Sequence, residues 1–186
     1  MLENLLADLR AIGPVDWFGM ATGIFGIWFS IKEKLLAWPL FILCYAAYIY
    51  ISFRGGYFSF CGMNIAFVGI SIYGWYKWAN APKNTDDSAK VSHLPARRWP
   101  IVLLFLTTST LGIGFLLANT GEAARLPFFD AFAASIALVA QWMLSRKYIE
   151  SWLCWILSDI IYISFFWMDR MWPSVILFTV FIILAI

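Results

Sequence analysis

A single acid, Asp159, stands seven residues into an otherwise apolar stretch, preceded by Trp152 and Trp155 and followed by Tyr162. At about 100° per residue along a helix, these four side chains share one broad face. Two indoles, a phenol and a carboxylate in one stripe suit a flat aromatic cation. The rings stack it, and their π faces and the carboxylate favour its charge. An ionised carboxylate at the centre of a bilayer costs ~2.5–3.5 kcal/mol on insertion scales, so it is expected to face the inside of a helix bundle. The competing structural reading has both tryptophans anchoring a membrane interface while Asp159 bonds a neighbouring helix.

A second polar and aromatic face runs through Asn64, Phe67, Ser71, Trp75 and Trp78 and ends in the run Tyr-Gly-Trp-Tyr-Lys-Trp. Lys77 and Trp78 read as membrane-boundary residues. Asn64 and Ser71 lie deeper, where they bond either a substrate or another helix. Gln141 follows Asp130 by eleven residues, three helical turns, and so shares its face. Asp130 and Asp16 each sit near the start of an apolar segment, where a capping role explains an acid as well as a ligand contact does. No catalytic or metal constellation accompanies these groups, and no cofactor is expected. The one histidine, His93, lies in a polar linker, and Cys44, Cys61 and Cys154 lack the paired spacing of a zinc site or disulfide framework. Gly19, Gly23 and Gly26 read as a helix-packing face rather than a phosphate loop.

These side chains need a scaffold that water does not surround. Of the 186 residues, 62% are hydrophobic and 13% charged, about half the ~25% charge of a soluble domain, and the mean hydropathy is +0.78. The apolar excess must face lipid, so a bilayer is the expected partner. A net charge of +2 without a basic run gives no reason to expect nucleic acid. Charges and turn residues divide the chain into seven apolar segments: Asp16–Ile31, Leu35–Phe53, Tyr57–Trp78, Trp99–Ala118, Pro127–Ser145, Trp152–Met168 and Pro173–Ile186. Five reach the ~17–25 residues that cross a bilayer, the first is near it, and the last is short. The first lacks the basic start and small-residue cleavage site of a signal peptide, so it is expected to be a retained helix. With seven crossings, nine of the thirteen Lys and Arg residues fall on the side of the 79–98 linker and four on the other. The positive-inside rule then predicts an outer N-terminus, with the linker and the C-terminus cytoplasmic, in the plasma (inner) membrane.

Sliding the chain on itself by 114 residues aligns 16–53 with 130–167 without a gap. Eight of the 38 positions match, including Asp16/Asp130, Trp28/Trp142, Trp38/Trp152 and Tyr48/Tyr162. Shared boundary residues of membrane helices are the bland explanation. A true three-helix repeat in one orientation needs one extra crossing between its copies, and 99–118 supplies it. The predicted fold is therefore an all-α integral membrane bundle of seven helices, three plus one plus three, with parallel repeats. An N-terminal segment covers 1–15, a first bundle 16–78, the linker 79–98, a connecting helix 99–118 and a second bundle 127–186. Secondary transporters place their substrate between such repeats.

The stretches Tyr73-Gly-Trp-Tyr-Lys-Trp78, Pro127-Phe-Phe-Asp130, Gln141, Ser145-Arg-Lys-Tyr-Ile-Glu150 and Trp152-x-x-Trp155 resemble the PnuC-type vitamin transporters. The resemblance spans about 16–186 and is densest over 128–159. It implies a fold related to the SWEET sugar carriers and a pocket between the bundles that uses the Trp-x-x-Trp helix. It also implies facilitated diffusion of a vitamin that phosphorylation inside the cell then traps. Where the nicotinamide riboside carriers have Asn, this chain has Asp159; Asn64 stands where Gln is expected. A carboxylate only accepts hydrogen bonds, whereas an amide also donates. Asp159 thus favours a cation bearing an amine, which points first to thiamine and the PnuT branch, then to nicotinamide riboside. The expected substrate-binding residues are Trp152, Trp155, Asp159, Tyr162, Asn64, Phe67, Ser71, Trp75 and Gln141. A non-transporting membrane receptor or scaffold is the alternative from another class, and a membrane enzyme is a third. Assembly as a homo-oligomer, dimer or trimer, is left open by the sequence.

Overall fold

The computed structural model describes residues 13–56, 58–80, 91–119, 126–168 and 171–185. Seven helices run through them: α1 Pro14–Ile31, α2 Ala37–Gly55, α3 Phe58–Ala79, α4 Trp99–Asn119, α5 Pro127–Ser145, α6 Glu150–Met168 and α7 Trp172–Ala185. Each end lies within two residues of an apolar segment read from the sequence. Of the expected N-terminal segment, 1–12 lies outside the described residues, as does 81–90 of the linker. Among the described residues, α2, α4 with its leading turn, α5 and α6 are each long and apolar enough to cross a membrane; α7 is a shorter apolar helix.

Local chemistry sets the helix ends. Proline opens α1 and α5 at the first helical position, where its missing N–H leaves nothing unsatisfied. Gly56, at φ 77°, stops α2 in the left-handed conformation. The α1–α2 and α5–α6 turns share one hydrogen-bond plan. Lys34 N–H bonds Phe29 C=O and Glu33 N–H bonds Ser30 C=O; Tyr148 N–H bonds Met143 C=O and Lys147 N–H bonds Leu144 C=O. Each is a Schellman helix stop, and corresponding atoms are 114 residues apart. The position that favours glycine holds Glu33 at φ 52° in one turn and Lys147 at φ 57° in the other.

Helix contacts run α1–α2–α3 and α5–α6–α7, joined by α3 against α5 and by α1 against α7. Six helices thus close a ring, with α4 outside it against α5. That position explains the two extremes of burial. α4 has only Val102, Gly114 and Leu117 buried and offers the rest of its surface outward. α5, held between α3, α4 and α6, buries twelve residues. Its alanines 131, 133, 134, 137 and 140 let neighbouring backbones approach closely. The α1 glycines do the same toward α2: a Cβ on Gly26 would stand 2.7 Å from the Phe41 ring.

The linker, polar in sequence, is anchored where it is described. Ser92 exchanges backbone bonds with Lys147 and Ile149 at 3.0 Å. Glu150 accepts from Leu94 N–H at 3.0 Å and meets His93 Nδ1 at 3.1 Å. Arg98 donates to the Tyr148 hydroxyl at 2.6 Å.

Trp38 is fully buried and fills the space beside Gly74, where a Cβ would come within 2.3 Å of the indole. Gly74→Ala is therefore expected to lower the stability of the detergent-solubilised protein by ~1–3 kcal/mol, the usual cost of overpacking. Gly69→Ala, with no neighbour within 4 Å, should leave it unchanged. Thermal unfolding of both variants checks the contrast.

Candidate functional site

The ring encloses a cavity of about 830 Å³ lined by all six of its helices and by none of α4. Small-molecule sites occupy ~300–1,000 Å³, so one vitamin-sized ligand fits. The lining keeps the 114-residue register. Gly23 and Ala137, Ile27 and Gln141, Tyr45 and Asp159, Tyr48 and Tyr162, Asn64 and Phe178, and Phe67 and Phe181 all face the cavity as corresponding pairs. The register thereby extends into α3 and α7, beyond the stretch in which identical residues reveal it.

Asp159 is buried at 4% exposure and lines the cavity. Among the described residues it has neither a hydrogen bond nor an ion pair. Next to it, Ser158 Oγ donates to Ala133 C=O at 3.0 Å and fixes α6 on α5. Tyr162, one turn along, lies close enough to Asp130 and Asp159 for both charges to act on its hydroxyl. An aromatic wall of the same cavity runs across three helices. Phe41 stacks on Tyr45 with centroids 6.2 Å apart, Tyr45 on Phe67 at 4.9 Å, and Phe67 meets Trp155 at 6.1 Å. A flat ring can stack against this aromatic wall, with a carboxylate in the same lining available to its charge or its N–H groups.

Of the expected site residues, Trp152, Trp155, Asp159, Tyr162, Asn64, Phe67 and Gln141 line this one cavity. Asn64 turns its Nδ2 back to Phe60 C=O at 2.8 Å. Gln141 is fully buried and donates through Nε2 to Ser71 Oγ at 3.0 Å, which ties α5 to α3. Ser71 stands behind the lining, and Trp75 is outside it with 41% of its surface exposed. The buried stripe of α3 runs Cys61, Asn64, Phe67, Ser71, Gly74, and this drift carries Trp75 to the outer face. Trp78, in the last turn of α3, packs edge-on against Trp38 at 5.2 Å. The capping role read for Asp16 also gives way. Gly13 is the N-cap of α1, without a side-chain bond, and Asp16 lines the cavity. Tyr45 and Tyr48 escaped the reading of the sequence. Their signal was the register itself, which sets Tyr45 opposite Asp159 and Tyr48 opposite Tyr162.

A closed ring of membrane helices around an aromatic and polar cavity defines a small-molecule carrier of the bilayer. The family model described as "Nicotinamide mononucleotide transporter" matches residues 13–186, and the chain belongs to that family. It is accordingly a multi-pass membrane transporter of the vitamin-uptake kind, not an enzyme. The nicotinamide riboside transporter PnuC of Escherichia coli K12 is 23% identical over 176 residues, covering 82% of this chain and 73% of its own. The riboflavin/roseoflavin transporter RibM of Streptomyces davaonensis is 21% identical over 147 residues, covering 78% of this chain and 68% of its own. The crystal structure of the vitamin B3 transporter PnuC shares the fold, with a TM-score of 0.72 and 20% identity over 98% of this chain and 83% of that one.

The aromatic wall and the outer face make opposite predictions. Tyr45→Ala should weaken binding of an aromatic vitamin about tenfold, while Tyr45→Phe keeps the ring and most of the affinity. Trp75→Ala should leave it unchanged. Calorimetric titration of the purified variants distinguishes the three.

Proposed function

We propose that this protein takes up a small aromatic cation, thiamine first, by facilitated diffusion, with intracellular phosphorylation trapping the product. One observation carries the reading: Asp159, buried in the cavity wall without a partner among the described residues. An uncompensated charge there is costly. A cation about 4 Å away returns ~4 kcal/mol at an effective dielectric of 20, enough to offset that cost. Thiamine also brings an aminopyrimidine, whose N–H groups match an acceptor-only side chain. Nicotinamide riboside is the second reading. It too is cationic, and it is the substrate named for the Escherichia coli relative.

In this reading, 16–78 and 127–186 are two parallel three-helix units, 99–118 is the helix that permits their common orientation, and the substrate sits between them. The end of the ring holding the α1–α2 and α5–α6 turns faces the cytoplasm. Lys32, Lys34, Lys77, Arg97, Arg98, Arg146 and Lys147 gather at that end, against Arg54 alone at the other among the described residues.

Purified protein in liposomes should move labelled thiamine down its gradient without ATP or an ion gradient. Absence of flux for thiamine, nicotinamide riboside and riboflavin alike would refute transport of this class. Asp159→Asn is expected to weaken thiamine binding tenfold or more, ~1.4 kcal/mol, with little effect on binding of neutral riboflavin. Equal losses for both ligands would remove charge recognition from Asp159.

A further inference from the structure

Glu33 and Lys147 occupy equivalent places in the two Schellman turns, 114 residues apart, and their side chains form an ion pair at 2.5 Å. A residue that touches its own counterpart must stand beside the axis relating the two halves of the ring. The same axis passes through the cavity, because the lining residues correspond in the same register. The pair therefore lies on the central line of the ring at its turn end, beyond the last cavity residues on that side, Ser30 and Leu144, which are themselves counterparts.

The packing beneath it closes that end. Lys147 Nζ sits 4.8 Å from the Trp78 ring, and Trp78 meets Trp38 edge-on at 5.2 Å. Trp38, Phe41 and Leu144 form one buried cluster, against which Trp152 packs. The backbone supports the same conclusion. A left-handed residue with a Cβ costs ~1–2 kcal/mol, which is why glycine commonly fills this position. Both turns accept that cost, and both place a charged side chain there, of opposite sign. Lys147 keeps only 15% of its side chain exposed while Glu33 keeps 48%, so the lysine is held against the protein and the glutamate meets it from the solvent side.

We propose that Glu33 and Lys147 are the closing pair of the transport path: their ion pair seals the turn end of the cavity, and its separation lets substrate pass there. The proposal rests on the cavity being that path. The test reads closure directly, so the two stand or fall separately. In a background with Cys44, Cys61 and Cys154 replaced by alanine, Leu144→Cys reports access to the cavity from the turn end through its reaction with a membrane-impermeant maleimide. Glu33→Lys and Lys147→Glu each create a like-charge pair and should speed labelling about tenfold or more. The double exchange should restore the slow rate, and Lys147→Gln should give an intermediate one. Singles that label like the parent, or a double exchange as open as either single, would overturn the pair as the seal. Gel filtration and thermal unfolding of each variant separate opening from misfolding. Thiamine flux by the parent protein in liposomes is measured alongside. Its absence would refute the cavity as a thiamine path, while the labelling result would still decide whether the pair closes this end.

Discussion

A carboxylate within an apolar helix, shielded from water and unpaired among the described residues, is the constraint around which this molecule is organised. Asp159 cannot face lipid without a cost of ~2.5–3.5 kcal/mol or more, so α6 must turn that face toward an enclosed space. One helix cannot enclose a space. The ring α1–α2–α3–α5–α6–α7 does, and α4 is left outside to present apolar surface outward. Other polar side chains of the ring follow the same rule: Asn64 on α3, Gln141 on α5, and Ser158 and Tyr162 on α6 all face inward.

Positions 114 residues apart share a turn plan and differ in what they present to the cavity. Helices α1 and α5 both end in a Schellman stop with the same bonds. Corresponding cavity residues nevertheless differ in kind. Tyr45 answers Asp159, Asn64 answers Phe178, and Ile27 answers Gln141. Helices α2 and α3 thus supply the stacked wall of Phe41, Tyr45 and Phe67, and α6 supplies the acid. A symmetric lining would place two acids face to face, and their repulsion would push one to its neutral form. Divergence at position 45 avoids that and offers an aromatic face instead.

Much of this was legible in the residues, for identifiable reasons. Long apolar runs interrupted by charges and turn formers fixed the helix ends to within two residues, because backbone groups at membrane depth must bond internally. Asp159, Trp155 and Tyr162 could be placed together because one helix at fixed pitch carries them. Trp75 defeated the same reasoning. On a stripe spaced by three and four residues, the next buried position after Ser71 is either 74 or 75. Only the bulk of Trp38, arriving from α2, decides that Gly74 faces inward. Tyr45 lacked a signal of its own, being one aromatic among many on an apolar helix. The Glu33–Lys147 contact joins two loops 114 residues apart, a proximity that no local pattern contains.

The relatives sharpen where selectivity must reside. A fold shared at 20% identity leaves most side chains free to differ, yet the helices superpose well enough for a TM-score of 0.72. What the two chains hold in common is therefore the course of the backbone. Related sequences carry the names of nicotinamide riboside and riboflavin transporters, ligands that differ in charge and size. A common scaffold cannot choose between them. Choice falls to the few lining positions where a side chain can change without disturbing a turn or a helix contact. Asp159 is such a position, since its carboxylate bonds no other described residue, whereas Ser158 beside it is committed to Ala133. A substitution at 159 alters the charge met by a ligand while leaving the α5–α6 contact in place, so substrate preference can shift without loss of the ring.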